Sequence, residues 1–257
     1  MSNRITEIDI GQREKLILVG LYLSKYDQRG LERLGFGSFM EAYNIIGFAL
    51  GAKPASIKNY RDEFDPVFPS QRKGWHKRRV RDYCAEILER YKDLGFDAFT
   101  GLVSSFFEGD GSAPVAAFYE EQPDETESSF AQRLLTGLAA EHYFEIVRLE
   151  VPAFKDYIVE NTTRLGCGYD FRLSTHSHDQ EFLAVEVKGL KEQCGSISMT
   201  PKEHAAASRL ANRFFLFVVR NFRESPSHDI YQNPLSGELL FRKKERTVIQ
   251  VSWQTSV

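Results

Sequence analysis

Gly168-Tyr169-Asp170-Phe171-Arg172-Leu173, followed after a polar turn by Phe182-Leu183-Ala184-Val185-Glu186-Val187-Lys188, puts an acid on one strand and an acid-x-lysine on the next. Successive side chains of a strand point to opposite faces. In the second run Leu183, Val185 and Val187 therefore face one way, and Phe182, Ala184, Glu186 and Lys188 the other. In the first run Tyr169, Phe171 and Leu173 form the apolar face and Asp170 points opposite. Pairing the two runs as a hairpin through Ser174 to Gln180 brings two carboxylates and one ammonium together.

Two carboxylates are what a hard divalent ion such as Mg2+ takes from a protein, with water and a substrate phosphate completing its shell; Mn2+ is the natural substitute. Asp170 and Glu186 are the expected metal ligands. The chemistry this implies is attack of an activated water on a phosphodiester. Lys188 is expected to orient or deprotonate that water, or to stabilise the charged transition state. A Glu-x-Lys on a strand face is also a common solvated ion pair, so the tripeptide gains meaning only from its surroundings.

Those surroundings are ordered. Thr200, Pro201 at the first helical position and Glu203 at the third form a capping box, predicting a helix to about Asn212. The unbroken apolar run Phe214 to Val219 then reads as a strand buried on both faces. An amphipathic helix from about Ser129 to Leu149 precedes the strands and carries Gly137-Leu138-Ala139-Ala140-Glu141.

The segment from about Ser129 to Arg220 resembles the NO VEIN C-terminal domain, a branch of the PD-(D/E)xK nuclease superfamily related to modification-dependent restriction endonucleases. The matching features are the helix with Gly137 and Glu141, the Gly168-Tyr169-Asp170 strand, the Glu186-Val187-Lys188 strand, the Thr200 to Glu203 helix start and the aromatic strand ending in Val219. The resemblance implies a helix, three strands, a helix and a strand around a mixed β-sheet, a restriction-endonuclease-like α/β (α+β) core. It also implies that Asp170 and Glu186 hold the metal, that Lys188 is the catalytic lysine, and that Glu141 is the helix acid completing the site. Tyr169 stands where the motif's proline would be. The implied activity is Mg-dependent DNA endonuclease of prokaryotic restriction or anti-phage defence type. The alternative is a nuclease-like DNA-binding or scaffold subunit that does not cut, working beside a helicase or ATPase partner.

A chain of 257 residues with 42% hydrophobic and 27% charged residues fits one large or two modest globular domains. The runs Leu16 to Leu23 and Phe214 to Val219 are too short to span a bilayer, and no export leader is legible, so a cytoplasmic protein is expected. Cys84, Cys167 and Cys194 have no metal-ligand spacing and read as free thiols. No Walker-type loop or Ser-His-Asp arrangement is present, and His176 and His178 beside Asp179 read as a surface turn.

The net charge of -3 exerts no global pull on nucleic acid, so contact with DNA must come from local patches. Arg72-Lys73-Gly74-Trp75-His76-Lys77-Arg78-Arg79-Val80-Arg81 is one, Arg242 to Arg246 another. Helical spacing predicts helices over Gln12 to Lys25, from Ser38 through Leu50, from Pro54, and from about Lys77 to Leu94. The second and third form a helix-turn-helix-like pair in which Ser56, Lys58, Asn59 and Arg61 are the expected base readers and Arg72, Lys73, Lys77, Arg78 and Arg79 the phosphate anchors. Asp62, Glu63 and Asp65 argue against this pairing with DNA.

The predicted organisation is a helical DNA-recognition domain over 1–107, an acidic linker over 108–128 and the nuclease-like domain over 129–257. A β-hairpin of Glu238 to Phe241 and Thr247 to Trp253 is expected to extend the sheet. Double-strand cutting by a single-strand site needs two copies, so a homodimer on double-stranded DNA is expected.

Overall fold

The computed structural model describes residues 10–68, 77–107, 127–176, 181–245 and 255. The expected acidic linker falls almost wholly outside the described residues.

Helix α1 (Gln12–Arg33) runs well past Lys25 and carries a break at Asp27, whose φ is 45°. Helix α2 (Phe39–Ala49) begins where Ser38 predicts, its side chain accepting the Glu41 N–H at 3.2 Å. Helix α3 (Pro54–Glu63) has Pro54 in its first turn. Helix α4 (Asp82–Tyr91) starts later than its amphipathic pattern suggests. The reason is Glu63, which accepts the Arg81 backbone N–H at 2.7 Å and the Arg81 Nε–H at 2.9 Å, holding residue 81 extended. Helix α5 (Phe96–Ser105) had no counterpart in the sequence expectations; it packs Phe96 and Phe99 into an aromatic cluster with Tyr22 and Tyr26 of α1.

The second half begins with α6 (Glu127–Val147), then β1 (Ile158–Asn161), β2 (Phe171–Ser174), β3 (Leu183–Gly189), α7 (Pro201–Leu210), β4 (Phe214–Arg220) and β5 (Ser227–Gln232). The strands form one mixed sheet in chain order, antiparallel throughout except for the parallel β3/β4 pair that α7 connects. This is the expected α+β arrangement of helices flanking a central mixed sheet.

The strands differ from the sequence pattern in two places. Residues 238–241 form turn and irregular chain, and the strand that extends the sheet beside β4 is β5 instead. Thr247 to Trp253 lies outside the described residues. Tyr169 does not share a face with Phe171 and Leu173: it packs on Phe182, ring centroids 5.8 Å apart, on the opposite side of the sheet.

One face of the sheet, with Phe171, Leu173, Val185, Val187, Phe215, Phe217 and Val219, packs against α6 and beyond it the helical layer. Phe144 of α6 meets Phe171 and Phe217 at 4.8 and 5.1 Å, contacts worth about 0.5–1.5 kcal/mol each beyond area burial. The other face, with Ala184 and Phe214, is covered by Ala206, Ala207 and Leu210 of α7. Every residue of α2 from Glu41 to Ala49 is buried, because α2 lies between the other N-terminal helices and α6. Phe48 meets Tyr143 and Phe222, and Asn44 Nδ2 donates to the Phe222 carbonyl at 2.8 Å. The apolar core is therefore continuous from α1 to β4. No helix among the described residues is long and apolar enough to cross a membrane.

Candidate active site

Asp170 enters the site through a break in the strand. Its N–H donates to the Val185 carbonyl at 3.0 Å, while Phe171 is the ladder partner of Val185, so two residues of one strand oppose one of the next. Such a bulge re-aims a side chain and shifts the alternation, which is why Tyr169 and Phe171 end on opposite faces. The Asp170 carboxylate then accepts the Val187 N–H through Oδ2 at 2.8 Å. Upstream, Gly168 has φ 88°, and a Cβ there would lie 2.5 Å from the Lys202 carbonyl oxygen. Only glycine both takes that conformation and lets the β1–β2 connection rest on the first turn of α7.

Glu186 and Lys188 share the β3 face toward α7, as alternation predicts. Glu186 is 3% exposed, and its Oε1 lies 2.6 Å from Lys188 Nζ. Lys188 Nζ also donates to Glu203 Oε2 at 2.8 Å. The same Glu203 oxygen accepts the Thr200 N–H at 3.0 Å, and the Thr200 hydroxyl accepts the Glu203 N–H, completing the capping box. In the sequence Glu203 reads as the cap alone; its second role is hidden because it stands 15 positions after Lys188, beyond an irregular loop.

Glu141 arrives from α6. That helix sits close on β3 because Gly189 has no side chain: a Cβ there would lie 2.8 Å from the Thr136 carbonyl oxygen. Glu141 Oε2 accepts the Thr163 hydroxyl at 3.4 Å.

Burial, then the charge of Asp170, pushes the Glu141 carboxyl up to about 8. Burial likewise pushes Asp170 up to about 6, against the Val187 N–H and the Lys188 charge. Glu186 is raised by burial and by Asp170, with Lys188 opposing. Burial works to lower the Lys188 ammonium, but Glu186 and Glu203 outweigh it and hold the group more basic than usual. The cluster is thus one buried and several half-buried acids with too little positive charge among them. An oxygen donor set of this kind suits a hard divalent cation, which takes one or two carboxylates and keeps several waters. As placed, with the Glu186 carboxylate turned to Lys188, no three His, Cys, Asp or Glu side chains among the described residues gather as a ready-made metal cage.

The predicted DNA-contacting residues lie on other elements. Lys58 and Asn59 are exposed on α3 and Ser56 is half-buried there; Lys77, Arg78 and Arg79 are exposed before α4. Arg79 pairs with Asp82 at 2.9 Å. Arg72 and Lys73 lie outside the described residues, as do His178 and Asp179. Arg61 is buried, contrary to its expected place among the base readers. It is 4% exposed, donates to the Tyr43 hydroxyl at 2.7 Å and to the Asp27 carboxylate, and lies over the Phe39 ring. It joins α1, α2 and α3 and cannot read a base from there. Cys84, Cys167 and Cys194 are free thiols, as expected.

The architecture and the largely half-buried acid-lysine cluster define an α+β protein with a sheet-end polar site. Within it, residues 138–232 match the family model described as Protein NO VEIN, C-terminal. The match covers α6 from Leu138 onward, all five strands and α7, extending past Arg220 through β5. No curated protein and no solved structure matches the chain.

Proposed function

We propose that this chain is a divalent-metal-dependent endonuclease of the PD-(D/E)xK type that hydrolyses phosphodiester bonds in double-stranded DNA, as a homodimer in the cytoplasm, in prokaryotic restriction or phage defence. The observation that carries the reading is the cluster of buried Glu186 and half-buried Glu141 and Asp170 around one lysine at the sheet end, acids that repel one another. A protein keeps such an arrangement at a cost to its stability, and cation-assisted chemistry gives it a use. Asp170 and Glu186 would hold Mg2+ or Mn2+, with Glu141 as an additional ligand or as the acceptor for an ordered water. The chemistry supplied by an ion held there is activation of water and neutralisation of charge on the leaving oxygen. Lys188, held by Glu186 and Glu203, offers its remaining N–H to a phosphate oxygen as charge builds up in the transition state.

The test is metal titration paired with single-turnover cleavage of plasmid DNA. Asp170→Ala and Glu186→Ala are expected to abolish metal-dependent cleavage while leaving the fold and much of the DNA binding intact. Wild-type-like cutting by both variants sinks the proposal. DNA binding by the wild type without cleavage under any divalent ion points instead to a non-cutting subunit that serves a helicase or ATPase partner.

A further inference from the structure

The β1–β2 connection, residues 162–170, is the least expected surface beside the acid cluster. Leu165 stands at its tip and is 70% exposed, flanked by exposed Arg164. Exposed Lys202 joins them: its Nζ lies 3.8 Å from where a Cβ on Gly166 would be. This is not a loose tip. The Thr162 N–H donates to the Asp170 carbonyl at 2.7 Å and its hydroxyl to the Tyr169 carbonyl at 3.0 Å. The Leu165 N–H donates to the Thr162 carbonyl at 2.8 Å, and the Thr163 N–H to Asn161 Oδ1 at 3.1 Å. Gly168 is seated on the Lys202 carbonyl, and Thr163 is tied to Glu141. The protein thus holds a large apolar side chain rigidly out in water, with a cation on either side, next to a cluster that by itself repels phosphate.

We infer that this loop is a wedge for duplex DNA: Leu165 inserts between base steps from the minor groove while Arg164 and Lys202 take the flanking phosphates. The location of the wedge beside the scissile bond rests on the nuclease reading; the wedge itself does not. An apolar side chain driven into a base step unstacks it and bends the duplex, which gives the protein more surface to contact. The two cations supply the local attraction that an acidic chain lacks overall, each phosphate contact releasing counterions. Asp170 is the last residue of this loop before β2 and Thr163 donates to Glu141, so a base step opened by Leu165 lies at a fixed offset from the acids.

The experiment uses the full chain with Ca2+ in place of Mg2+ and short duplexes carrying 2-aminopurine, whose fluorescence rises on unstacking. Saturating wild type is expected to raise the fluorescence. Leu165→Ser at matched occupancy loses most of that rise and binds about tenfold more weakly, as expected for a leucine left in water, and Leu165→Met restores both. Arg164→Ala and Lys202→Ala each lower the salt slope by about one while keeping the rise at saturation. A rise indifferent to residue 165, or a wild type that saturates the duplex with no rise or does not bind it, overturns the wedge. Hydrolysis of bis(p-nitrophenyl) phosphate by the wild type is read in parallel samples that contain Mg2+ or Mn2+ instead of Ca2+. Its absence with the fluorescence rise intact would remove the proposed chemistry and leave the wedge standing.

Discussion

The Glu203 oxygen that caps α7 also receives the Lys188 ammonium, 2.8 Å away, so the start of a helix and the lysine of the acid cluster are set by one side chain. Lys188 answers to two elements at once, β3 through Glu186 and α7 through Glu203. The position of its ammonium is therefore fixed by the fold itself, the preorganisation that the proposed role in a transition state would need.

Removing that ammonium has a double consequence. Lys188→Ala should still bind divalent metal but lose on the order of 10²-fold or more in single-turnover cleavage. It should also destabilise the metal-free protein by about 3 kcal/mol at alkaline pH, because Glu186 is left buried without its counter-charge. In acid the loss shrinks, since Glu186 can take a proton. Urea titrations across pH check this, and equal losses at both ends would contradict it.

The acids themselves set a pH dependence. Asp170 and Glu141 keep their protons to about 6 and about 8 in the folded chain, well above their unfolded values. The folded state therefore binds more protons than the unfolded one, and stability falls as pH rises. The contribution is full in acid and is lost as pH climbs through about 6 and then about 8. In chelator, the unfolding temperature should decline over that window, and Glu141→Gln should flatten its upper part. Mg2+ should raise the unfolding temperature most at the alkaline end. A metal-free protein that grows more stable over this window would refute the assignment.

Arg61→Ala should act on folding and not on DNA reading. It removes the partner of Tyr43, Asp27 and the Phe39 ring at a buried position, and should cost about 2–4 kcal/mol. Substituting the exposed Lys58, Lys77, Arg78 and Arg79 with alanine should leave stability nearly unchanged and lower the salt slope of DNA binding by about one for each phosphate that is no longer neutralised. Fluorescence anisotropy at several salt concentrations, beside thermal melts, separates the two. Loss of sequence preference in a fully folded Arg61→Ala protein would restore it as a reader.

Phe48→Ala should cost about 3–4 kcal/mol, because the ring fills the contact between α2, Tyr143 and Phe222. Since the core runs unbroken across that contact, the helical layer and the sheet should unfold in one transition in both wild type and variant. Two separated transitions by circular dichroism would show that the layers fold independently.

The parts of the fold legible in the sequence were those whose signals are local. The capping box at Thr200 and the apolar run of β4 each specify their element within a few residues, and both formed as read. The shared face of Glu186 and Lys188 followed from alternation alone. The bulge at Asp170 was illegible, because one extra residue in a strand reverses every face beyond it, and Tyr169 moved accordingly. Edge strand β5 was missed because Ser227, His228, Asp229 and Gln232 look like loop, and the apolar signal fades where one edge meets solvent. Arg61 read as a surface charge because its partner Asp27 lies far away in sequence. Glu63 hid its grip on Arg81 for the same reason, and the start of α4 was misplaced with it.

His142 Nδ1 and the Phe48 carbonyl are 2.9 Å apart, and His142 is the next residue after Glu141. The helix that delivers an acid to the cluster is thus bolted, one residue along, to the helix at the centre of the N-terminal layer. The same contact that joins α2 to α6 thus also fixes the turn of α6 from which Glu141 projects, so the acid cluster is braced by the N-terminal layer as well as by its own sheet.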